Sequence, residues 1–376
     1  MANPRTADPM LMRRLNEVAT IRVLLGQGKL TMSRILELTG LSRSTGEAVL
    51  ETLIADGWVR EVPPEQRPGV LGRPARTFRF LSEARQVMAV DIGAHQVSAT
   101  VADLDGTVRE TRRRRTTRSA SRAERLEAVR MVIGTPPPGL LAVAVSTPGL
   151  IGDDGAVWLC RVLPEWTGLS PAAELGELFD CPIAVENDVN LSALAERWTG
   201  AAAGVDDLVW ASLGRGTAAA VVLRGRLHRG ATGAAGELGW VPELGWAQVR
   251  DHPLSFAGVT ETPHGDLAAR LIDEARAGDA EALAEFDRFA SLAAPGLSAI
   301  VLAYDPRALV LGGAPAAAPD LFIPALSRHL APRCLSLPDL HASALGEEAA
   351  ITGALRLALD RAQARLYSTE ERLLPR

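Results

Sequence analysis

Apolar residues recur at helical spacing between Met12 and Gly57, where Leu15, Val18, Ile21, Leu24 and Leu25 make one stripe. Gly26 to Lys29 interrupts it. Thr31 is placed to cap a second helix carrying Ile35, Leu36 and Leu38, and Gly40 suits the left-handed turn that ends it. Ser42 then caps a third helix with Val49, Leu50, Leu53 and Ile54 on its buried side. Beyond Gly57 the pattern alternates. Trp58 to Val62 and Arg76 to Phe80 read as strands around a tip that includes Gly72-Arg73-Pro74-Ala75-Arg76. Later apolar runs (Val87 to Val90, Leu141 to Val145, Ile183 to Val185, Leu208 to Leu213, Leu309 to Leu311) alternate with helical stretches, including Leu267 to Ala277 and Ala280 to Ser298. The pattern predicts an α/β body behind a head of three helices and a hairpin.

Two short helices joined by a tight glycine turn make a helix-turn-helix, and the following hairpin makes it winged. A plain helical hairpin in a bundle is the alternative, and the hairpin after it speaks against that. The third helix would enter a major groove with Arg43, Ser44, Thr45, Glu47 and Ala48 on its first turns. Arg73 and Arg76 at the wing tip would meet phosphates or a narrow minor groove. Gly46, inside that helix, either permits close packing or weakens the helix by about 1 kcal/mol.

Charge fits this division. The chain of 376 residues carries a net charge of -5. Residues 1–82 hold 12 Lys+Arg against 8 Asp+Glu (+4), and the remainder 28 against 37 (-9). A basic front on an acidic body suits a small DNA-binding head on a sensor. No apolar run approaches the roughly 18 residues of a membrane span, and Met1 to Met12 lacks a signal-peptide core, so the expected location is the cytoplasm, with no membrane partner. Cys160, Cys181 and Cys334 are scattered, implying neither a disulfide framework nor a thiolate metal site.

The body's turns carry its chemistry. Asp91-Ile92-Gly93 follows a strand; Ser146-Thr147-Pro148-Gly149, Glu186-Asn187-Asp188-Val189-Asn190 and Gly214-Arg215-Gly216-Thr217 follow others. Gly230-Ala231-Thr232-Gly233-Ala234-Ala235-Gly236-Glu237-Leu238-Gly239 and Leu309-Val310-Leu311-Gly312-Gly313 complete the set. Together they resemble the ROK family of repressors and sugar kinases, with an actin-like ATPase fold, over nearly the whole chain; the winged head points to the repressor branch. The resemblance implies that Asn187 and Asp188 contact sugar hydroxyls, Asp188 standing where the kinases have their general base. It implies a further sugar-contacting carboxylate at Glu237 and a pocket shaped by Gly149. Helix capping by Asn187 or Asp188, and a surface position for Glu237, are the plainer alternatives.

Three departures argue against phosphoryl transfer. Ala94-His95 stands where the kinases continue with Gly-Thr, so the hydroxyl facing phosphate is missing. In the second loop Ala218 and Ala220 replace glycines and are expected to restrict the backbone where phosphate must approach; Arg215 either offers charge to an anion or is solvated. Trp240 replaces the family's zinc-binding His, no cysteine lies between Val241 and Asp266, and His252 and His264 are expected to be loop residues. The Trp240 indole either stacks on a sugar's apolar face or fills space left by the lost metal lobe, and filling is the expectation.

The expected organisation is a winged helix-turn-helix over residues 10–82 and a two-lobed ROK body over 83–376. Its small lobe spans about 83–195 plus 353–376, and its large lobe about 196–352. The expected activity is that of a DNA-binding repressor of carbohydrate-related genes, modulated by a sugar or phosphosugar. It has no catalytic residue, no metal and no cofactor, its phosphate loops at Asp91, Gly93, Gly214 and Gly216 being degenerate. The expected partners are a double-stranded operator and a second copy or more of the chain. The rivals are a working sugar kinase with a regulatory head, and a ligand-independent or protein-regulated DNA binder. The run Arg112 to Arg115 either reaches DNA or is a solvated strand or loop.

Overall fold

The structure is a computed structural model that describes residues 9–63, 75–259 and 262–369. The head runs α1 (Pro9–Leu24), β1 (Lys29–Thr31), α2 (Met32–Thr39), α3 (Arg43–Ala55), β2 (Val59–Val62) and β3 (Thr77–Phe80), its strands ordered β1-β3-β2. Local chemistry sets the boundaries. The Arg34 N–H donates to Thr31 Oγ1 at 3.3 Å, the Thr45 N–H to Ser42 Oγ at 3.3 Å, and Gly40 ends α2 at φ +70. Gly46 serves close packing, because a Cβ there would lie 2.3 Å from Leu36 Cδ2. Ile21, Leu24, Ile35, Leu50, Leu53, Trp58, Phe78 and Phe80 form the buried centre.

Two expectations change. The three residues of β1 pair with β3 where the sequence shows a break in the helical stripe. Leu15, a member of that stripe, is 42% exposed, while its neighbour Arg14 is buried. The wing tip, including Arg73, lies outside the described residues.

The body repeats one motif. Its first sheet comprises β4 (Gln86–Ile92), β5 (Gln96–Asp103), β6 (Val108–Arg115), β7 (Leu140–Thr147) and β10 (Ile183–Asn187), in the order β10-β7-β4-β5-β6. Between them lie α4 (Arg122–Ile133), the small ribbon β8 (Leu150–Ile151) and β9 (Val157–Leu159), and α5 (Pro171–Leu175); α6 (Asp188–Thr199) follows. The second sheet comprises β11 (Leu208–Leu213), β12 (Thr217–Leu223), β13 (Arg226–Leu227), β14 (Ala308–Gly313) and β15 (Asp339–Ala342), in the order β13-β12-β11-β14-β15. In each sheet three antiparallel strands are followed by two parallel ones, so both halves share a single topology. Such duplicated sheets facing a common cleft define the actin-like fold.

Helices α7 (Trp246–Asp251), α8 (Pro263–Arg276), α9 (Ala280–Tyr304), α10 (Ala314–Ala317) and α11 (Pro319–Leu330) cover the second sheet. Helix α9 is long and apolar enough, by length and composition, to cross a membrane, which the sequence pattern did not bring out. Of its most apolar stretch, 56% is buried within the body.

The last helix, α12 (Ala349–Leu366), returns to the first sheet and packs on α6, β4 and β7. A Cβ on Gly353 would lie 1.9 Å from the Leu191 carbonyl, so only glycine permits this α6–α12 approach. The far end of α12 is held by the head. Arg14 donates to the carbonyls of Leu366 and Ser368, both at 2.9 Å, and Arg22 stacks on Tyr367 at 4.7 Å.

Candidate effector cleft and nucleic-acid interface

Parallel strands β7 and β10 deliver their C-terminal ends to the cleft, where ligands of open α/β sheets bind. Asn187 ends β10 and caps α6, its Oδ1 accepting from the N–H groups of Val189 (2.9 Å) and Asn190 (3.1 Å). Its amide donates to the Gly149 carbonyl at 2.9 Å and to Asp188 Oδ1 at 3.0 Å. Both amide hydrogens and both acceptor sites of Asn187 are thus engaged, which leaves the side chain to position the neighbouring carboxylate. Gly149 adopts φ +111, and a Cβ there would lie 2.8 Å from the Leu159 carbonyl, so the turn requires glycine.

Three carboxyls converge beyond this cap. Burial pushes Asp188 up, against hydrogen bonds from the Val189 N–H and the Asn187 amide. Burial also raises Glu237, helped by the charge of Asp188 and opposed by the Trp240 indole and Arg161. Asp91, at the end of β4, is pushed up to about 7 by burial, against the hydrogen bond that Ser146 Oγ donates to it at 2.6 Å, with the Asp188 charge adding to the rise. Arg229 crosses the cleft behind them. It meets Glu186 at 3.1 Å and donates to the Ile151 carbonyl at 2.7 Å.

Trp240 does not fill an interior space. It is 47% exposed, and the guanidinium of Arg161 lies 3.9 Å over its ring. His252 and His264 serve local structure, and His264 is not a loop residue but lies in the first turn of α8. His252 Nδ1 accepts from the Leu254 N–H at 3.2 Å and Nε2 lies 3.2 Å from Glu285, while His264 stacks on Phe256 at 4.8 Å. Among the described residues no three His, Cys, Asp or Glu side chains are grouped to hold a metal ion, so this region does not fit the zinc cluster.

At the other end of the cleft two turns face each other. The first is pinned by Arg125, a buried side chain donating to the Gly93 carbonyl at 2.6 Å and to the Thr117 carbonyl at 2.7 Å. The second holds Gly214 and Gly216. Arg215 spans the gap and meets His95 Nε2 at 3.3 Å. Ala220 contradicts its expected role. It lies not in a loop but in β12 opposite Trp210, its methyl buried with Ala193 and Val222.

In the head, Arg43 and Ser44 are exposed on the first turn of α3, with Arg43 Nε 3.1 Å from Glu47 Oε1. Thr45 turns its hydroxyl back to Ser42 at 2.8 Å, joining the cap. Arg76, at the base of the wing, donates two hydrogen bonds of 2.9 Å to Glu61. Sequence reasoning does not single out Arg125, Arg161, Arg229 or Ser146. Ser146 lies inside a recognisable turn, but the three arginines carry no local signal.

The duplicated sheets and the carboxylate-lined cleft define a protein of the sugar-kinase-like, actin-fold class. The chain belongs to the ROK family, whose model matches residues 87–245 and 255–361 and so begins just after the head. Among curated proteins it is similar to the xylose repressor of Bacillus subtilis strain 168, 24% identical over 239 residues. That match covers 62% of this chain and 62% of the repressor's length. Among solved structures, a ROK family transcriptional regulator described as a homolog of the E. coli MLC protein superposes with TM-score 0.73 at 18% identity, covering 96% of this chain and 100% of that one. A ROK family glucokinase from Streptomyces griseus, in complex with glucose and AMPPNP, has TM-score 0.59 at 24% identity and covers 72% of this chain and 98% of its own.

Proposed function

We propose that this protein is a sugar-responsive transcriptional regulator, acting in the cytoplasm as a repressor of carbohydrate-related genes. Residues 10–82 read the operator, and residues 83–376 bind the effector. A sugar or phosphosugar sits against Asp188 and Glu237, in a pocket bounded by Gly149, Asn187 and Trp240. Two copies of the chain, joined through their large lobes, place two heads on a palindromic site.

One observation carries this reading: the helix that starts at the effector site is mechanically joined to the head. Helix α6 begins at Asp188, packs at Leu191 on Gly353 of α12, and α12 ends under Arg14 of α1. A ligand that prefers one arrangement of the cleft therefore has a solid path along which to bias the heads. The repressor and regulator relatives support the same reading. The intact Asp188 and the glucokinase likeness favour a second one, a working kinase; ATP consumption with a panel of sugars, abolished by Asp188→Asn, would establish that rival.

DNA-binding measurements test the head. Arg43→Ala combined with Arg76→Ala should weaken binding and lower the salt slope by about one for each phosphate no longer neutralised. Glu61→Gln should do the reverse. It releases Arg76, so affinity at low salt rises, while stability changes by no more than about 0.5 kcal/mol because the ion pair is exposed. Unchanged affinity in both variants removes Arg76 from the interface. Operator affinity that no sugar or sugar phosphate alters removes the effector from the mechanism.

A further inference from the structure

The described chain passes between the two sheets of the body twice. The first crossing runs from the end of α6 at Thr199 to the start of β11 at Leu208, and the second from the end of β15 at Ala342 to the start of α12 at Ala349. Strands and helices are stiff, so a change of angle between the two halves has to be absorbed in these two segments.

One side chain holds both. Glu196, in the last turn of α6, is fully buried. Its Oε2 accepts from the Ala201 N–H at 2.7 Å and the Ala344 N–H at 3.4 Å, and its Oε1 accepts from the Ser343 hydroxyl and from the Leu345 N–H at 3.3 Å. Its backbone carbonyl accepts from the N–H groups of Gly200 and Ala202, both at 3.2 Å. Glycine at 200 lets the carboxylate fold back on the first crossing, because a Cβ there would lie 2.0 Å from Glu196 Oε2. Ser343 is tied to the second sheet, its N–H donating to the Leu311 carbonyl at 2.9 Å, and its hydroxyl accepts from the Gly346 N–H at 3.1 Å. A carboxylate out of water is stable only among donors, and here the donors come from the two crossings. Neither crossing can leave α6 without stranding a buried charge.

The same helix begins at the carboxyl end of the cleft. Asp188, Ser192 and Glu196 follow at four-residue spacing on one face of α6, about 12 Å from first to last. The Ser192 hydroxyl donates to the Asp188 carbonyl at 2.8 Å. We infer that Glu196 is the pin of the hinge between the two halves of the body, a positioning residue that makes both crossings turn about the end of α6. The halves then rotate about one point instead of sliding past each other, and a shift of Asp188 along α6 reaches both crossings at once. Only that last step rests on the effector reading above.

Hydrogen exchange by mass spectrometry, and pulsed electron spin resonance between labels on Met131→Cys in α4 and Leu283→Cys in α9, test this on the full chain without ligand or DNA. Both label positions are half exposed; Cys181→Ser and Cys334→Ser remove competing thiols, Cys160 being buried. Wild type should exchange slowly at both crossings and give one narrow label distance. Glu196→Gln keeps the shape, but its amide nitrogen cannot accept, so the donors of one crossing lose their partner. Exchange should rise about tenfold or more at residues 200–202 or 343–346, with the strands of both sheets unchanged, and the label distance should broaden. Ser343→Ala loses a donor on the second crossing alone. It should raise exchange at 343–346, leave 200–202 protected and broaden the distance less, and it carries the test should Glu196→Gln fail to fold. Unchanged exchange at the crossings, or an unbroadened distance in a folded variant, overturns the inference. Exchange that rises throughout both sheets also overturns it, since it marks a carboxylate needed only for general stability. These readings need no sugar: a broadened distance in Glu196→Gln beside operator binding that no sugar alters upholds the pin and removes the effector.

Discussion

At one end of the cleft three carboxyls, Asp91, Asp188 and Glu237, stand behind a helix cap whose hydrogen bonds are complete; at the other, Arg215 and His95 meet across two facing turns, with the charge of Arg118 acting from a third. The carboxyl end is built from the start of α6, which is locked to α12 and through it to the head. The cationic end is built from exposed side chains on turns. The contrast shows where this body tolerates change. Side chains on the turns can exchange a hydroxyl for an imidazole without disturbing a strand, whereas the Asn187 cap cannot be lost without freeing both a helix end and the Gly149 turn.

The most severe test of that contrast is to cut the connection at the carboxyl end. Gly353→Ala puts a methyl 1.9 Å from the Leu191 carbonyl, a backbone atom that cannot swing aside. The expected cost is about 3 kcal/mol in urea denaturation, at the upper end for overpacking, with effector-dependent DNA binding lost or blunted. Normal stability and a full effector response would show that α6 and α12 are not the route.

The same contrast explains what was legible in the sequence. Caps at Thr31, Ser42 and Asn187, the turn at Gly40 and the apolar strands depend on near neighbours, so residue type and spacing reveal them. The turns from Asp91 to Glu237 are recognisable as a set because the fold demands small residues where backbones meet. Long-range partners leave no such trace. Arg14 reaching Leu366, Arg125 under Gly93, Arg161 over Trp240 and Arg229 across the cleft are choices among many arginines in a chain whose only lysine is Lys29. Ala220 misleads for a related reason. A substitution in a loop motif looks functional until the strand register turns its methyl into the core. Trp240 invites a filling role because apolar mass usually goes inside, yet here Arg161 occupies its face in the open.

Asp91 lies at the junction of the two ends, and its titration gives the next test. Its folded pKa of about 7 is above the ordinary 3.8, so the folded chain binds the proton more tightly than the unfolded one. This group therefore makes stability fall as pH rises from about 4 to about 7, after which its contribution levels off. Asp91→Asn keeps an acceptor for Ser146 and removes the buried charge. Thermal unfolding should show it stabilised at pH 8 by about 1–3 kcal/mol, with a flatter pH profile through that window. Destabilisation at pH 8 would instead mean that the carboxylate charge is required by a neighbour.

The mildest change is foreseen at Trp240, and it decides what the carboxyl end presents to a ligand. The indole is half in solvent, so Trp240→Ala should alter stability by no more than about 0.5–1 kcal/mol, the value of an exposed cation–π contact. Its consequences for binding should be larger than for folding, because the indole also restrains Glu237, whose carboxyl it holds down against burial. Trp240→Phe separates the two roles. Phenylalanine keeps a ring for Arg161 or for a sugar's apolar face and loses the N–H directed at Glu237. If stacking dominates, Trp240→Phe binds the effector like wild type and Trp240→Ala loses roughly fivefold, about 1 kcal/mol. If Glu237 orientation dominates, both variants lose affinity equally and the pH dependence of binding shifts upward in each, since the carboxyl has lost a donor that favours its charged form. Unchanged affinity in both variants would place Trp240 outside the ligand's reach.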